Sequence, residues 1–276
     1  MSIRKVMVNG LPGNVARIVA ETLLKDERFE LVPHSLTGPE IQESEYIIDN
    51  ISVKLIQADQ RDSQIGQIKQ SQGEFLTVDY THPSAVNSNA DFYCRFGLPF
   101  VMGTTGGDRR KLQAMVESSS IAAVIAPNMA KQIVGLQAMM EYAADNFPNL
   151  FEGYALEVKE SHQQAKADTS GTAKAMVGYF NKLGVPYSTD EIVMVRDPQE
   201  QKTQWGIPEE YLAGHGWHTY TLVSEDQTVQ FEFTHNVNGR KVYVRGTVDA
   251  ILYLSEKVQG GARGKMFTMI DVLKGN

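Results

Sequence analysis

The stretch Ile3-Arg4-Lys5-Val6-Met7-Val8-Asn9-Gly10-Leu11-Pro12-Gly13-Asn14-Val15-Ala16 decides how the rest of the chain is read. A β-branched, apolar run over residues 3–8 meets a glycine turn. Val15, Ile18, Val19, Thr22 and Leu23, extended by Leu24, then recur at helical spacing. A strand that turns on glycines into a helix opens a β-α unit, and at that junction free backbone amides and the positive helix end suit a dinucleotide pyrophosphate. Gly10, Leu11, Pro12, Gly13, Asn14 and Val15 are therefore candidate cofactor contacts, with an ordinary strand-to-helix turn as the plain alternative. Pro12 stands where the Gly-x-Gly-x-x-Gly form has its middle glycine; it supplies no amide and limits backbone approach.

Working outward, short apolar runs at 29–32, 53–56, 75–78, 100–102 and 122–125 alternate with helical patterns, as expected of β-α units around a parallel sheet. Pro83 sits at a helix start, where its missing amide costs little, and that helix runs to about Cys94. Past residue 133 the pattern changes to a helix through Ala144, a strand near 156–160, a helix over 172–183 and strands at 192–195, 219–223 and 229–233. That region reads as α+β with a mostly antiparallel or mixed sheet. Residues 197–210 are the nearest thing to a polar linker. Asn238-Gly239 between apolar runs signals a hairpin, yet Val244, Val248, Ile251 and Ser255 also fit one helix, and periodicity does not choose between them.

Composition narrows the function. The 276 residues carry 26 Lys plus Arg against 33 Asp plus Glu, a net charge of −7, with 42% hydrophobic residues, a soluble globular balance. An acidic total argues against broad nucleic-acid binding. The longest uncharged apolar run, 121–127, is far short of the ~20 residues a membrane helix needs. Residues 1–9 lack the long apolar core and cleavage site of a leader, so the N-terminus reads as mature. One cysteine, Cys94, suits a reducing compartment and is most simply a buried small apolar residue.

Three further segments carry chemistry. After the second strand comes His34-Ser35-Leu36-Thr37-Gly38, with no carboxylate at the tip where NAD sites usually place one. Ser35 and Thr37 as donors, with the Arg17 charge, favour a 2′-phosphate and hence NADPH, with NADH as the alternative. Turn formation accounts for the same residues. Gly103, Thr104 and Thr105, and then Asn128 and Met129, lie on the carboxyl edge expected to face a nicotinamide. Finally, Glu160-Ser161-His162-Gln163-Gln164-Ala165-Lys166-Ala167-Asp168-Thr169-Ser170-Gly171-Thr172 joins an imidazole, an amine and a helix N-terminus. His162 has the one side chain whose ordinary pKa lies near neutrality, Lys166 can attract an anion and lend a proton, and Ser170, Gly171 and Thr172 open a helix end fit for a carboxylate. An exposed loop with a capped helix is the bland alternative. The other histidines, His34, His82, His215, His218 and His235, show no metal-ligand spacing, and no metal is expected.

With these segments in order, the chain resembles the dihydrodipicolinate reductases, also called 4-hydroxy-tetrahydrodipicolinate reductases. The carriers are Gly10 to Ala16, Asp79-Tyr80-Thr81-His82-Pro83, Gly103-Thr104-Thr105-Gly106 and, above all, Glu160-Ser161-His162 with Lys166 and Asp168-Thr169-Ser170-Gly171-Thr172-Ala173. Gln163 replaces the second histidine of bacterial members, and one residue is missing before Ser170. With Pro127-Asn128-Met129-Ala130-Lys131-Gln132 and His235-Asn236-Val237-Asn238-Gly239-Arg240, these departures look like the plant and cyanobacterial branch. The resemblance implies an α/β chain with a Rossmann-type parallel-sheet cofactor domain at 1–129 and 241–276. Residues 130–240 would form an α+β substrate-binding and oligomerisation domain with a mixed sheet, and 240–258 would be helical.

It also implies hydride transfer from NAD(P)H to C4 of a cyclic unsaturated imine dicarboxylate in lysine and diaminopimelate biosynthesis, followed by protonation. His162 would be proton donor or acceptor and Lys166 the partner proton donor. Gln163, Ser170, Gly171 and Thr172 would hold the substrate. A homo-oligomer, dimer or tetramer, in cytoplasm or a plastid-like stroma is the implied setting. A reductase of another imine or carbonyl, and a non-catalytic NADPH-sensing regulator, are the competing readings.

Overall fold

In the computed structural model, which describes residues 3–275, the opening apolar run forms β1 (Arg4–Asn9) and the stripe after the glycine turn forms α1 (Asn14–Leu24). Ala16, Val19, Ala20 and Leu23 are the buried stripe of α1. There follow β2 (Phe29–Leu31), β3 (His34–Leu36), β4 (Glu45–Ile48), β5 (Ile51–Ile56), α2 (Arg61–Gln72), β6 (Leu76–Asp79), α3 (Val86–Arg95), β7 (Phe100–Met102), α4 (Arg109–Glu117) and β8 (Ala122–Ile125). Next come α5 (Lys131–Asn146), β9 (Tyr154–His162), α6 (Gly171–Lys182), β10 (Val193–Val195), α7 (Pro198–Thr203), β11 (His215–Ser224) and β12 (Gln230–Asn238). The chain ends with α8 (Lys241–Gln259), β13 (Lys265–Phe267) and α9 (Met269–Lys274). Two units result, one of Met1–Lys131 with Tyr243–Asn276 and one of Gln132–Val242.

The first unit holds a six-stranded sheet, order β13-β8-β7-β6-β1-β2, in which every neighbouring pair is parallel. Phe100, Val101 and Met102 are all fully buried, as a parallel sheet covered on both faces demands. The chain leaves β1 for β2 on one side and comes back to β6 on the other. The carboxyl ends of β1 and β6 therefore form the switch point where open α/β sheets bind ligands. The run at 53–56, expected among the strands of the parallel sheet, lies elsewhere. It belongs to β5, which pairs parallel with β3 and antiparallel with β4 in a separate three-stranded sheet.

The second unit is a mixed sheet, order β10-β9-β11-β12, with β10 parallel to β9 and the other pairs antiparallel. Ala173, Met176, Val177 and Phe180, one stripe of α6, pack in a core with Val158, Tyr220 and Leu222 of the sheet. Asn238-Gly239 makes no hairpin. Asn238 ends β12, Gly239 takes φ +71°, and α8 follows, in agreement with the helix that the resemblance implied. The β11–β12 hairpin turns instead at residues 225–229, where Asp226 accepts from the Ser224 and Thr228 hydroxyls and the Thr228 amide. The stretch read as a linker holds α7, capped by the Asp197 side chain.

Within the first unit α8 runs against the end of the β8 loop so closely that a Cβ at Gly246 would collide with the Met129 carbonyl oxygen. Gly246→Ala is therefore expected to cost about 1–3 kcal/mol, the usual penalty of overpacking, seen as a lower urea midpoint. Gly135→Ala in α5, where a Cβ meets nothing within 4 Å, serves as the control and is expected to match or exceed the parent. Equal midpoints for the two variants would show that α8 can back away from Met129.

Candidate functional site

At the switch point of the first unit, Gly10 has φ +103°, and a Cβ there would strike the Tyr80 carbonyl oxygen at the end of β6. Only glycine lets the two strand ends close on each other. Gly13 is the N-cap of α1, and no side chain caps that helix; its first turn carries no acid. The amides of Asn14 and Val15 are left for an external acceptor, which fits a dinucleotide phosphate. By contrast α4, at the same sheet edge, is capped by Asp108 through the amides of Arg110 and Lys111.

The loops around this edge are tied together by Asp79, a carboxylate with no exposed surface. It accepts from the Thr81 amide and hydroxyl, the Asn89 amide group, the Tyr93 hydroxyl and the Thr104 hydroxyl. Thr104 is thereby buried and committed to the fold, while Thr105 and Gly106 stay exposed. Gly103 faces the Tyr80 ring, which fills the space a Cβ would need. Asn128 is half-buried and its side chain accepts from the Ala130 amide, whereas Met129 is buried.

The hydroxyls expected at a 2′-phosphate are otherwise employed. Ser35 is fully buried, accepts from the Leu11 amide and donates to the Leu36 carbonyl, and the Thr37 hydroxyl donates to the Leu11 carbonyl. Both shape the glycine turn from below, and neither proton is free for a phosphate. Nor is the tip without a carboxylate. Glu40 folds back over Gly38, filling the space where a Gly38 Cβ would stand. Arg17 pairs with Glu21 at 2.6 Å on α1 and is half-exposed.

In the second unit the strand alternation of β9 and β11 gathers a polar cluster on the face that also carries Val158, Tyr220 and Leu222. Glu160, fully buried, accepts from Arg196 Nη2 at 2.5 Å and from the Ser170 amide at 3.0 Å, and lies 3.6 Å from His218 Nε2. Burial alone would raise its pKa, but hydrogen bonds from His218, Arg196 and Ser170 outweigh that and hold it down to about 2. His162 Nδ1 faces the His215 carbonyl oxygen at 3.1 Å. A carbonyl only accepts, so Nδ1 carries the proton, and Nε2 is buried without a hydrogen-bond partner among the described residues, 3.9 Å from Glu160 Oε2. Burial first, and the His218 charge second, push the His162 pKa to about 4, so the ring is neutral at pH 7. Gly216, opposite His162 in the register, makes room for that ring: a Cβ there would come within 3.0 Å of it.

Ser170 caps α6, its hydroxyl accepting from the Ala173 amide and meeting His218 Nε2 at 2.9 Å, while its own amide goes to Glu160. The Ser170 side chain is thus spent on building the helix end. The Gly171 and Thr172 amides, first in the helix, are what that end offers to a carboxylate. Lys166 pairs with the exposed Asp168 at 2.7 Å, its amide donates to the Gln163 carbonyl, and Gln163 is half-buried.

Sequence reasoning missed Glu160, Arg196, His218 and His235 as members of this group, the last stacked on the His218 ring with centroids 4.5 Å apart. One signal was present: Leu156, Val158 and Glu160 share a strand face, so an acid on the buried side must bring its own donors. Ligand atoms of Glu160, His162 and His218 also lie within 4.8 Å of one another, a convergence that linear spacing of histidines hides. There the Arg196 guanidinium already occupies the carboxylate, and the cluster reads as a hydrogen-bonded network.

Comparison with known proteins covers nearly the whole chain. The family described as "Dihydrodipicolinate reductase, N-terminus" matches residues 4–129, and its C-terminal counterpart matches 133–273. A protein of Oryza sativa subsp. japonica named "Probable 4-hydroxy-tetrahydrodipicolinate reductase 1, chloroplastic" is 47% identical over 98% of this chain and 78% of its own. The Arabidopsis thaliana "4-hydroxy-tetrahydrodipicolinate reductase 1, chloroplastic" is 45% identical over 98% and 77%. The solved structure "Dipicolinate bound Dihydrodipicolinate reductase from Paenisporosarcina sp. TG-14" shares the fold with a TM-score of 0.65 at 19% identity, covering 97% of this chain and 98% of that one.

The buried groups set the acid stability. His162 and His235, each depressed to about 4 chiefly by burial, contribute stability that is complete above the ordinary pKa of 6.5 and is lost as pH falls toward 4. Glu160, depressed from 4.5 to about 2, adds a further loss over that lower window. Urea midpoints are therefore expected to fall from pH 7.5 to pH 5, and to fall less in His235→Gln. An unaltered drop in that variant would remove His235 from the account.

Proposed function

The chain belongs to the dihydrodipicolinate reductase family, and we propose on that premise how its residues divide the work. It is a pyridine-nucleotide-dependent oxidoreductase of lysine biosynthesis that reduces the dihydrodipicolinate formed from 4-hydroxy-tetrahydrodipicolinate. A bound reduced nicotinamide supplies the hydride. The Gly13 end of α1, through Asn14 and Val15, would hold the pyrophosphate, and Gly103, Thr105 and Asn128 would border the ring.

The observation that carries the chemical assignment is the contrast between two groups four positions apart. His162 is neutral with a free Nε2, and Lys166 is a cation on a loop that leads into the Gly171–Thr172 amides. Those amides grip one substrate carboxylate, and Lys166 swings from Asp168 to the substrate and delivers the proton to the carbon beside the one that receives hydride. His162 accepts a hydrogen bond at Nε2 and orients the ammonium. The arriving carboxylates raise its pKa, readying it to take up the next proton. Gln163 donates an amide hydrogen bond to the substrate without adding charge.

For the nucleotide, Arg17 is the group on the first turn of α1 that attracts a 2′-phosphate, and NADPH is used through it. Glu40 opposes the same phosphate and keeps NADH competitive. The protein works as a homo-oligomer in a plastid-stroma or cytoplasmic setting. The exposed face of the second sheet, with Ala155, Val193 and Val223 among its outward residues, is where copies would meet. No described helix is long and apolar enough to cross a membrane.

Oxidation of the reduced nucleotide is followed by absorbance while the unstable substrate is generated in the cuvette by the preceding synthase. Lys166→Ala and His162→Ala are each expected to lower turnover ~10²–10⁴-fold with nucleotide affinity unchanged. Near-parental turnover in both would reject the assignment. Separately, Glu40→Gln is expected to raise kcat/KM for NADPH relative to NADH; an unchanged ratio would place Glu40 away from the ribose.

A further inference from the structure

We propose that Arg196 is a positioning residue for Lys166, holding the acid-bearing loop by its main chain. Residues 163–169 have neither strand nor helix, and Lys166 can deliver a proton reproducibly only if something outside the loop fixes its path. Arg196 leaves the end of β10 and spreads its guanidinium across that loop. Its Nε donates to the Lys166 carbonyl at 2.8 Å, and its Nη2 to the Asp168 carbonyl at 3.3 Å. Its Nη1 reaches the carbonyls of Val195 at 3.1 Å and Glu160 at 3.4 Å, while Nη2 also makes the 2.5 Å bond to the buried Glu160 carboxylate.

The rigid fork thus ties three things into one plane: the Lys166 main chain, the end of β10, and the carboxylate whose other partners are His218 and the α6 cap. Within the loop the Lys166 amide donates to the Gln163 carbonyl and the Lys166 ammonium to Asp168, and outside it the Thr169 hydroxyl reaches Met194 Sδ of β10 at 3.5 Å, so Arg196 supplies the bonds that tie the loop main chain to the sheet. Geometry also says why the residue is arginine. A lysine at 196 could keep the charge beside Glu160, but one ammonium cannot reach the carbonyls of Lys166 and Asp168 and the carboxylate together. Arg196→Lys therefore separates neutralising a buried acid from aiming the loop.

This inference rests on Lys166 being the proton donor, and a double-mutant cycle keeps the two claims apart. Arg196→Lys is expected to lower kcat about 10²-fold, the effect of roughly 1 Å of misplacement in a catalytic group, with KM for the nucleotide unchanged. In the Lys166→Ala background the same change is expected to cost nothing more, because the group being aimed is gone. Free guanidinium at non-denaturing concentration is expected to restore part of the activity of Arg196→Ala, and methylammonium none. Unaltered kcat in Arg196→Lys, or losses that multiply in the double variant, would overturn the proposal. Parental turnover in Lys166→Ala would instead overturn the assignment of the acid on which it rests.

Discussion

An acid buried in a protein must be surrounded by donors before the chain can close around it, and each unit of this protein is organised by meeting that requirement once. In the first, Asp79 draws in Thr81, Asn89, Tyr93 and Thr104, so the end of β6, the start of α3 and the loop after β7 are fixed together. Asn9 extends the network: its side chain donates to Tyr93 and accepts from the Leu36 amide, linking β1 to β3. In the second, Glu160 draws in Arg196, His218 and the Ser170 amide, and with them β10, β11 and the start of α6. Removing one donor from either set leaves a buried acceptor under-satisfied, which costs more than the bond itself is worth.

This division of labour explains why so many polar residues near the site do not face a ligand. Ser35, Thr37, Thr104 and Ser170 all spend their hydroxyls on main chain or on the buried acids. What remains outward is chiefly backbone: the uncapped start of α1 and the first amides of α6. Preorganised amides held by a stiff polar frame bind anions without having to reorganise. His162 follows the same logic, since the His215 carbonyl fixes its tautomer and Gly216 leaves it room.

The β-α alternation through residue 125 was legible because strands buried on both faces, such as β7, stand out as continuous apolar runs between helical patterns, and the second sheet because β9, β11 and β12 are nine or ten residues long. The short sheet of β3, β4 and β5 was not. Its strands β4 and β5 leave the apolar Ile47 and Ile51 exposed, so hydrophobicity does not mark a buried face there. Asn238-Gly239 misled as a local signal because its glycine serves the exit into α8, while the true hairpin turns on Asp226 and on Gln227 at φ +59°. In the site, His162, Lys166 and the α6 start could be seen because they are adjacent in sequence. Arg196 and His218 could not, for strand pairing alone brings them beside Glu160, and Glu40 was hidden by a two-residue gap from the tip it covers.

The manner in which Arg196 grips the loop has a consequence for how such a site changes over generations. Its partners there are carbonyl oxygens, which every residue type possesses, so side chains at 163, 164, 165 and 167 can be exchanged without loosening the segment. A backbone clamp of this kind sets where Lys166 sits independently of the side chains around it, leaving the contacts of the segment free to drift while the path of its main chain is kept.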